Sequence, residues 1–239
     1  MQLLKMLIIS LSIFSLVACN KTPSESTTTA PSTTTTSQPS TDNVNSNVES
    51  SDLTKYGIAN NPNNVLGGLK VGDRAPDFKM KDQDGNEVKL STSLKDGPVL
   101  LVFLRAEWCS FCVKHLKEFQ DNIQAINDSG HTRVLAVSPQ KQSYMKEFHE
   151  ENKFSFPILY DEDHTVMKDY KVLFHVTDKY NAYIKKAKGE TIEVFNGDKE
   201  PVMPIPATYL ISKDGIVEYV HYDPDYKKRS DLTEVMMEL

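Results

Sequence analysis

The chain has 239 residues, 25% of them charged and 39% apolar, and a formal net charge of −6. That is enough for one globular domain and a tail, and its acidic balance offers no basic face of the kind nucleic-acid binding needs. With only three cysteines there is no disulfide scaffold, so each cysteine needs its own explanation.

Residues 1–20 read MQLLKMLIISLSIFSLVACN. Lys5 followed by an apolar run over residues 6–18 has the layout of a signal peptide, being too short for the roughly 20 apolar residues of a spanning helix. The end of that run, Leu16-Val17-Ala18-Cys19, resembles the lipobox of bacterial lipoproteins. The resemblance implies removal of residues 1–18, acylation of the Cys19 thiol and anchoring to a lipid membrane of the cell envelope, facing the periplasm. Asn20 is not the Asp that retains many such lipoproteins at the inner membrane, which favours the outer one. More than half of residues 21–51 are Ser or Thr, with no aromatic residue among them. Such a segment has little apolar area to bury, so residues 19–65 read as a lipidated cysteine and a disordered tether. Its reach is on the order of 30 Å.

Residues 66–239 carry the folded domain. In APDFKMKDQDGNEVKL, alternating strands flank Asp84-Gly85, a hairpin signal. Residues 98–104, PVLLVFL, form the continuous apolar run of a buried central strand. After Cys112 the period lengthens, with Leu116, Phe119, Ile123 and Ile126 on one helical face. A second buried strand is expected over residues 132–138, a helix over 141–152 and a short strand in FPILY. HTVMKDY and DKYNAYIKKAK read as helices, and ATYLIS and IVEYVHY as a hairpin around Lys213-Asp214-Gly215. Leu232, Val235, Met236 and Leu239 place a last helix, with Asp231 and Glu234 spaced as a capping box. The order predicts an α/β domain whose mixed central sheet is flanked by helices on both faces.

The chemistry concentrates in RAEWCSFC, where Cys109 and Cys112 follow the buried strand and adjoin Trp108, the only tryptophan. Cys109 is expected near a helix N-terminus, where unpaired backbone N–H groups and the helix dipole favour a thiolate. Cys112 lies within disulfide reach one turn on, so Cys109 reads as an exposed nucleophile and Cys112 as the resolving partner. Zinc would need two further ligands, and no second Cys pair or close His pair exists. A purely structural bridge across so short a span would constrain the unfolded chain very little. The pair therefore reads as a redox dithiol.

AEWCSFC after a buried strand resembles the active-site loop of the thioredoxin superfamily, and IPATYLISKDG its second signature. That resemblance implies that Pro206, preceded by Ile205, is the cis proline facing the dithiol. FLRAEWCSFC, LAVSPQ, FPILYDED, FNGD, PIPATYLISKDGIVEYVHYDPDYKKR and EVMMEL narrow it to the peroxiredoxin-like branch of the AhpC/TSA family, from about Val71 onward. It implies a thioredoxin-like fold with a peroxiredoxin-type N-terminal hairpin and thiol-dependent reduction of hydroperoxides. The cofactor is then the cysteine pair alone, and a thioredoxin-like protein is the electron donor. Arg105 reads as a source of positive charge for thiolate or peroxide, and Trp108, beside the nucleophile, reads either as its shield or as an aromatic packed at the end of a strand.

The chain departs from peroxiredoxins at two positions: Val102 and Ala106 stand where those enzymes carry a Pro and a peroxide-holding Thr. The same residues thus also suit an envelope thiol–disulfide oxidoreductase acting on protein disulfides. A copper-delivery protein is a third reading, disfavoured by the two-residue spacing. Asp161 to His164, DEDH, reads as a polar helix start rather than a metal site. His115 reads as an exposed helix position, the segment with His221, Asp223 and Asp225 as a strand end and turn, and Lys227-Lys228-Arg229 as a solvated turn.

Overall fold

The computed structural model describes residues 53–197 and 199–239. The expected signal peptide, Cys19 and the expected tether up to residue 52 lie outside the described residues. Residues 53–65, read as the end of the tether, instead pack on the domain: Ile58 is buried in its core, and Ile58 and Val65 form bridges to Val176 and Leu173, because these apolar side chains find partners in distant strands. No described helix is long and apolar enough to cross a membrane.

A short turn of 3-10 helix at Thr54–Tyr56 leads to a hairpin of β1 (Lys79–Asp82) and β2 (Glu87–Lys89), in which Met80 faces Val88. Gly85 takes the left-handed backbone (φ 88°) that its turn requires, and the Asp82 carboxylate accepts from the backbone of Asp84 and Asn86. After α1 (Leu90–Ser93) come β3 (Val99–Phe103), α2 (Ser110–Asp121), α3 (Ile123–Asp128), β4 (Arg133–Ser138) and α4 (Gln142–Asn152). Next are β5 (Ile158–Tyr160), α5 (Thr165–Asp169), β6 (Leu173–His175), α6 (Asp178–Lys188) and α7 (Ile192–Phe195). The chain closes with β7 (Val202–Pro204), β8 (Ala207–Ile211), β9 (Val217–Tyr222) and α8 (Leu232–Met237).

Seven strands make one mixed sheet in the order β2-β1-β5-β4-β3-β8-β9. Strands β3, β4 and β5 are parallel, while β1 and β8 run antiparallel to their neighbours. This is the thioredoxin-like mixed sheet, with the hairpin at one edge. The apolar run of β3 is explained by its two covered faces. Leu101 and Phe103 join one core with Tyr170 and Tyr209, and Leu100, Val102 and Leu104 join the other with Leu116 and Phe119. A strand buried on both sides has no polar side to alternate with.

Three details differ from expectation. The helix after Cys112 breaks at Asn122 and resumes as α3, because Asn122 leaves helical backbone (ψ 12°) and its amide donates to the Glu118 carbonyl. Leu116, Phe119 and Ile126 are still buried across the break. Strands β6 and β7 form a separate two-stranded sheet that no local pattern announced. Asp231 does cap α8 by accepting from the Thr233 N–H, but Glu234 accepts from the Tyr219 hydroxyl and does not close the box.

Candidate active site

Strand β3 delivers the dithiol. Its last residue, Phe103, pairs with Ala207 of β8, so Ile205 and the buried Pro206 lie beside the chain as it leaves the sheet. Five residues of loop follow, and Cys109 becomes the N-cap of α2 in extended conformation, with no side-chain cap bond. Its carbonyl accepts from the N–H groups of Cys112 (2.8 Å) and Val113 (3.0 Å), and its own N–H donates to the Ala106 carbonyl. Both cysteines are free thiols. Cys109 is only 5% exposed and Cys112 2%, so the nucleophile expected at the surface is buried. The reason is the segment 223–231, between β9 and α8, whose side chains lie over the start of α2.

That segment corrects two further expectations. Arg229, read as part of a solvated turn, directs its Nη2 to Cys112 Sγ at 3.4 Å and reaches Cys109 Sγ at 4.0 Å. His115, read as exposed, is buried, and its Nε2 lies 2.8 Å from Ser230 Oγ. Ser230 Oγ is bonded in turn to Thr208 Oγ1 at 3.2 Å. Burial, helped by the Arg229 and His221 charges, lowers the His115 pKa to about 3, so the ring is neutral. In DPDYKKR the sequence gives no sign of which base turns inward.

Arg105 is 2% exposed. Its Nη2 donates to the Tyr180 hydroxyl and its guanidinium lies 4.1 Å from the centre of the Tyr226 ring. Phe111 meets the same Tyr226 ring edge-on at 5.8 Å. Trp108 packs against Phe195 of α7 and touches both cores, with its indole N–H unpaired among the described residues. The neighbouring Glu107 N–H donates to Gln140 Oε1, and burial raises the Glu107 carboxyl above its usual pKa.

The two sulfurs are hydrogen-bonded and titrate as a unit. The bond to Cys112, burial and the neighbouring anion all push the Cys109 thiol up. At Cys112 burial opposes ionisation, but the bond from Cys109 and the charges of Arg229 and Arg105 outweigh it and hold the thiol below its ordinary value. The Arg229 guanidinium, nearer Cys112 Sγ at 3.4 Å than Cys109 Sγ at 4.0 Å, draws the negative charge of the pair toward the inner sulfur, whereas the helix N-terminus alone would favour Cys109. Val102 and Ala106 are both buried, and neither offers a side-chain donor.

The DEDH segment is a helix start. Asp161, 1% exposed, accepts from the Val166 and Met167 N–H groups at the head of α5. Among the described residues no group of three His, Cys, Asp or Glu is placed to hold a metal ion. The expected turn after β9 forms, with Asp225 N–H bonded to the Asp223 carboxylate and Lys228 paired with Asp223 at 3.0 Å.

A free cysteine pair one turn apart, at the head of a helix that follows the central strand of such a sheet, defines a thiol oxidoreductase of thioredoxin-like fold. The chain belongs to the AhpC/TSA family, whose sequence model matches residues 71–220. It is similar to chloroplastic peroxiredoxin Q of Oryza sativa subsp. japonica, at 27% identity over 172 residues, covering 72% of this chain and 67% of the rice protein. Peroxiredoxin Bcp of Escherichia coli K12 is 29% identical over 155 residues, 65% of this chain and 86% of that one. Among solved structures, peroxidoxin BcpB of Mycobacterium tuberculosis shares the fold with a TM-score of 0.55, at 24% identity over 71% of this chain and 96% of that one. A peroxiredoxin-like protein of Aquifex aeolicus gives 0.57, at 21% identity over 73% and 88%.

Proposed function

We propose that the protein is a thiol peroxidase that reduces hydroperoxides with Cys109 and Cys112 and is restored by a thioredoxin-like dithiol donor, tethered in the cell envelope through acylated Cys19. The observation that carries this reading is the free pair at the head of α2 in a chain of the AhpC/TSA family. Cys109 passes its proton to Cys112 along their hydrogen bond and attacks the terminal peroxide oxygen. The O–O bond breaks, Cys109 becomes a sulfenic acid and the alkoxide takes a proton from water. Cys112 loses its proton and attacks the Cys109 sulfur. Hydroxide leaves, is protonated to water, and the disulfide remains for an external dithiol to reduce.

Ala106, buried and without a hydroxyl, favours a second reading, in which Cys109 attacks a protein disulfide and Cys112 resolves the mixed disulfide. Parallel assays separate the two: dithiol-dependent peroxide consumption, and reduction of an insulin-like disulfide. Peroxide turnover above the rate of free dithiol, with a sulfenic acid trapped in Cys112→Ser, supports the peroxidase. Fast disulfide reduction with peroxide consumption no faster than free dithiol would replace it by the second reading. Membrane release of Cys19→Ala on fractionation tests the anchor.

A further inference from the structure

We propose that Arg229 is a catalytic residue of this site, holding the negative charge of the dithiol on whichever sulfur bears it, and that Ser230, pinned by His115 and Thr208, is its positioning residue. The proposal rests on the dithiol chemistry above, but not on the identity of the oxidant.

One guanidinium nitrogen spans the pair, at 3.4 Å from Cys112 Sγ and 4.0 Å from Cys109 Sγ. The other, Nη1, donates to the Lys228 carbonyl at 2.8 Å, which fixes the plane of the group. Among the described residues no carboxylate pairs with Arg229, whereas Lys228 next to it is paired with Asp223. A half-buried cation without a carboxylate requires another anion, and the sulfurs are the acidic groups it touches. Arg105 adds positive charge beside both thiols, but its guanidinium bonds the Tyr180 hydroxyl and lies on the Tyr226 ring, so the arginine that bonds a sulfur is Arg229. The titratable and charged groups facing the pair are then Arg105 from the end of β3, Arg229 and Tyr180 on α6, and those facing Arg229 are neutral His115 on α2 and His221 on β9.

A surface arginine reaching a sulfur would carry less weight, but this one is held from its far side. Ser230 is 4% exposed and bonded to both His115 and Thr208. Asp231 follows at once as the cap of α8. His115 lies one turn beyond Cys112 on the same helix, so the helix that carries the dithiol also secures the cation above it. In the attacking step Arg229 meets the charge on Cys109, and in the resolving step it meets the charge on Cys112. The distances to the two sulfurs allow both without movement of the strand or helix.

The test is thiolate absorbance near 240 nm against pH, with the rate of iodoacetamide alkylation, in the wild-type chain and in Arg229→Gln, Arg229→Lys and Ser230→Ala. In Arg229→Gln the titration is expected to rise by about one pH unit or more, with alkylation at acidic pH slowed about tenfold. Arg229→Lys should recover part of the shift, and Ser230→Ala should give an intermediate one. A titration unmoved in Arg229→Gln with near-UV circular dichroism intact would overturn the assignment. If Arg229→Gln does not fold, Arg229→Lys decides: a titration as low and alkylation as fast as wild type overturns the specific role, and a partial rise supports it. A titration that moves in a protein whose wild type consumes no hydroperoxide leaves Arg229 assigned and removes the peroxidase reading instead.

Discussion

Two helix starts at the ends of parallel strands make an instructive pair. At the head of α5, after β5, Asp161 folds its carboxylate onto two backbone N–H groups and the site is closed. At the head of α2, after β3, Cys109 makes no side-chain cap bond, and an arginine from another part of the chain approaches instead. Both positions are buried and both offer the partial positive charge of a helix N-terminus. One residue satisfies that charge within its own turn, so nothing is left for a ligand. The other keeps a soft, ionisable sulfur that only a second sulfur and a guanidinium answer. A helix start after a parallel strand is thus structural or reactive according to whether a side chain of its own loop satisfies the free N–H groups, as Asp161, three residues before the N-cap His164, does at α5.

The largest expected effect separates the two starts. Cys109→Ser should lower thiol-dependent peroxide turnover on the order of ten-thousandfold while leaving the urea midpoint close to wild type, whereas Asp161→Ala, which removes both acceptors from the head of α5, should lower the urea midpoint and leave turnover close to wild type. Equal losses of activity in both variants would break the comparison. Next in size is His115, which helps to cover the reactive start. Its folded-state pKa, about 3, is depressed from 6.5 by burial above all, so the unfolded chain binds its proton first. The stability it gives is full above pH 6.5 and is lost as the pH falls toward 3, about 5 kcal/mol over the whole window. His115→Gln should flatten that part of a plot of urea-unfolding stability against pH, and an unchanged slope would mean the ring is solvated.

Asp161 runs the opposite way. Burial raises its pKa from 3.8 to about 6 against the two N–H groups that favour the anion. Here the folded chain binds the proton first, so stability falls as the pH rises from about 4 to 6, by about 3 kcal/mol. Asp161→Asn should lose this slope, read by urea unfolding at pH 4 and pH 7. A carboxylate can therefore cap a helix well and still be costly when ionised, because the interior disfavours its charge.

Much of the architecture was legible in local pattern. The β3 run, the Asp84-Gly85 hairpin and α6 from Asp178 to Lys188 all form where expected, α6 with Thr177 accepting from the Tyr180 N–H and left-handed Gly189 at its end. Their signals are periodicity and turn chemistry, which are properties of a few consecutive residues. Strands β6 and β7 carry only three residues each and exist because distant segments pair. The cysteines were legible as a dithiol, but their burial was not, since the cover arrives more than a hundred residues later. His115 and Arg229 were misread for the same reason. An imidazole on a helix and the third base of a run acquire their surroundings from Ser230 and the sulfurs, and no local period encodes that.

The smallest effect concerns how firmly the cover sits. Phe111, between the two cysteines, is 37% exposed, yet its ring meets Tyr226 edge-on, and Tyr226 lies over Arg105. The contact joins the dithiol turn to the covering segment by a route that does not involve Arg229. An aromatic pair of this geometry contributes about 1 kcal/mol beyond the area it buries. Phe111→Ala should accordingly leave the thiolate titration in place, since the Arg229 distances do not depend on that ring. It should instead raise alkylation of Cys109 at saturating pH by a few fold, because the segment opens more often. Phe111→Tyr, which keeps the ring edge, should behave as wild type. A Phe111→Ala variant with unaltered alkylation would show that the His115–Ser230–Thr208 anchor alone holds the segment down, and that the aromatic contact only fills space.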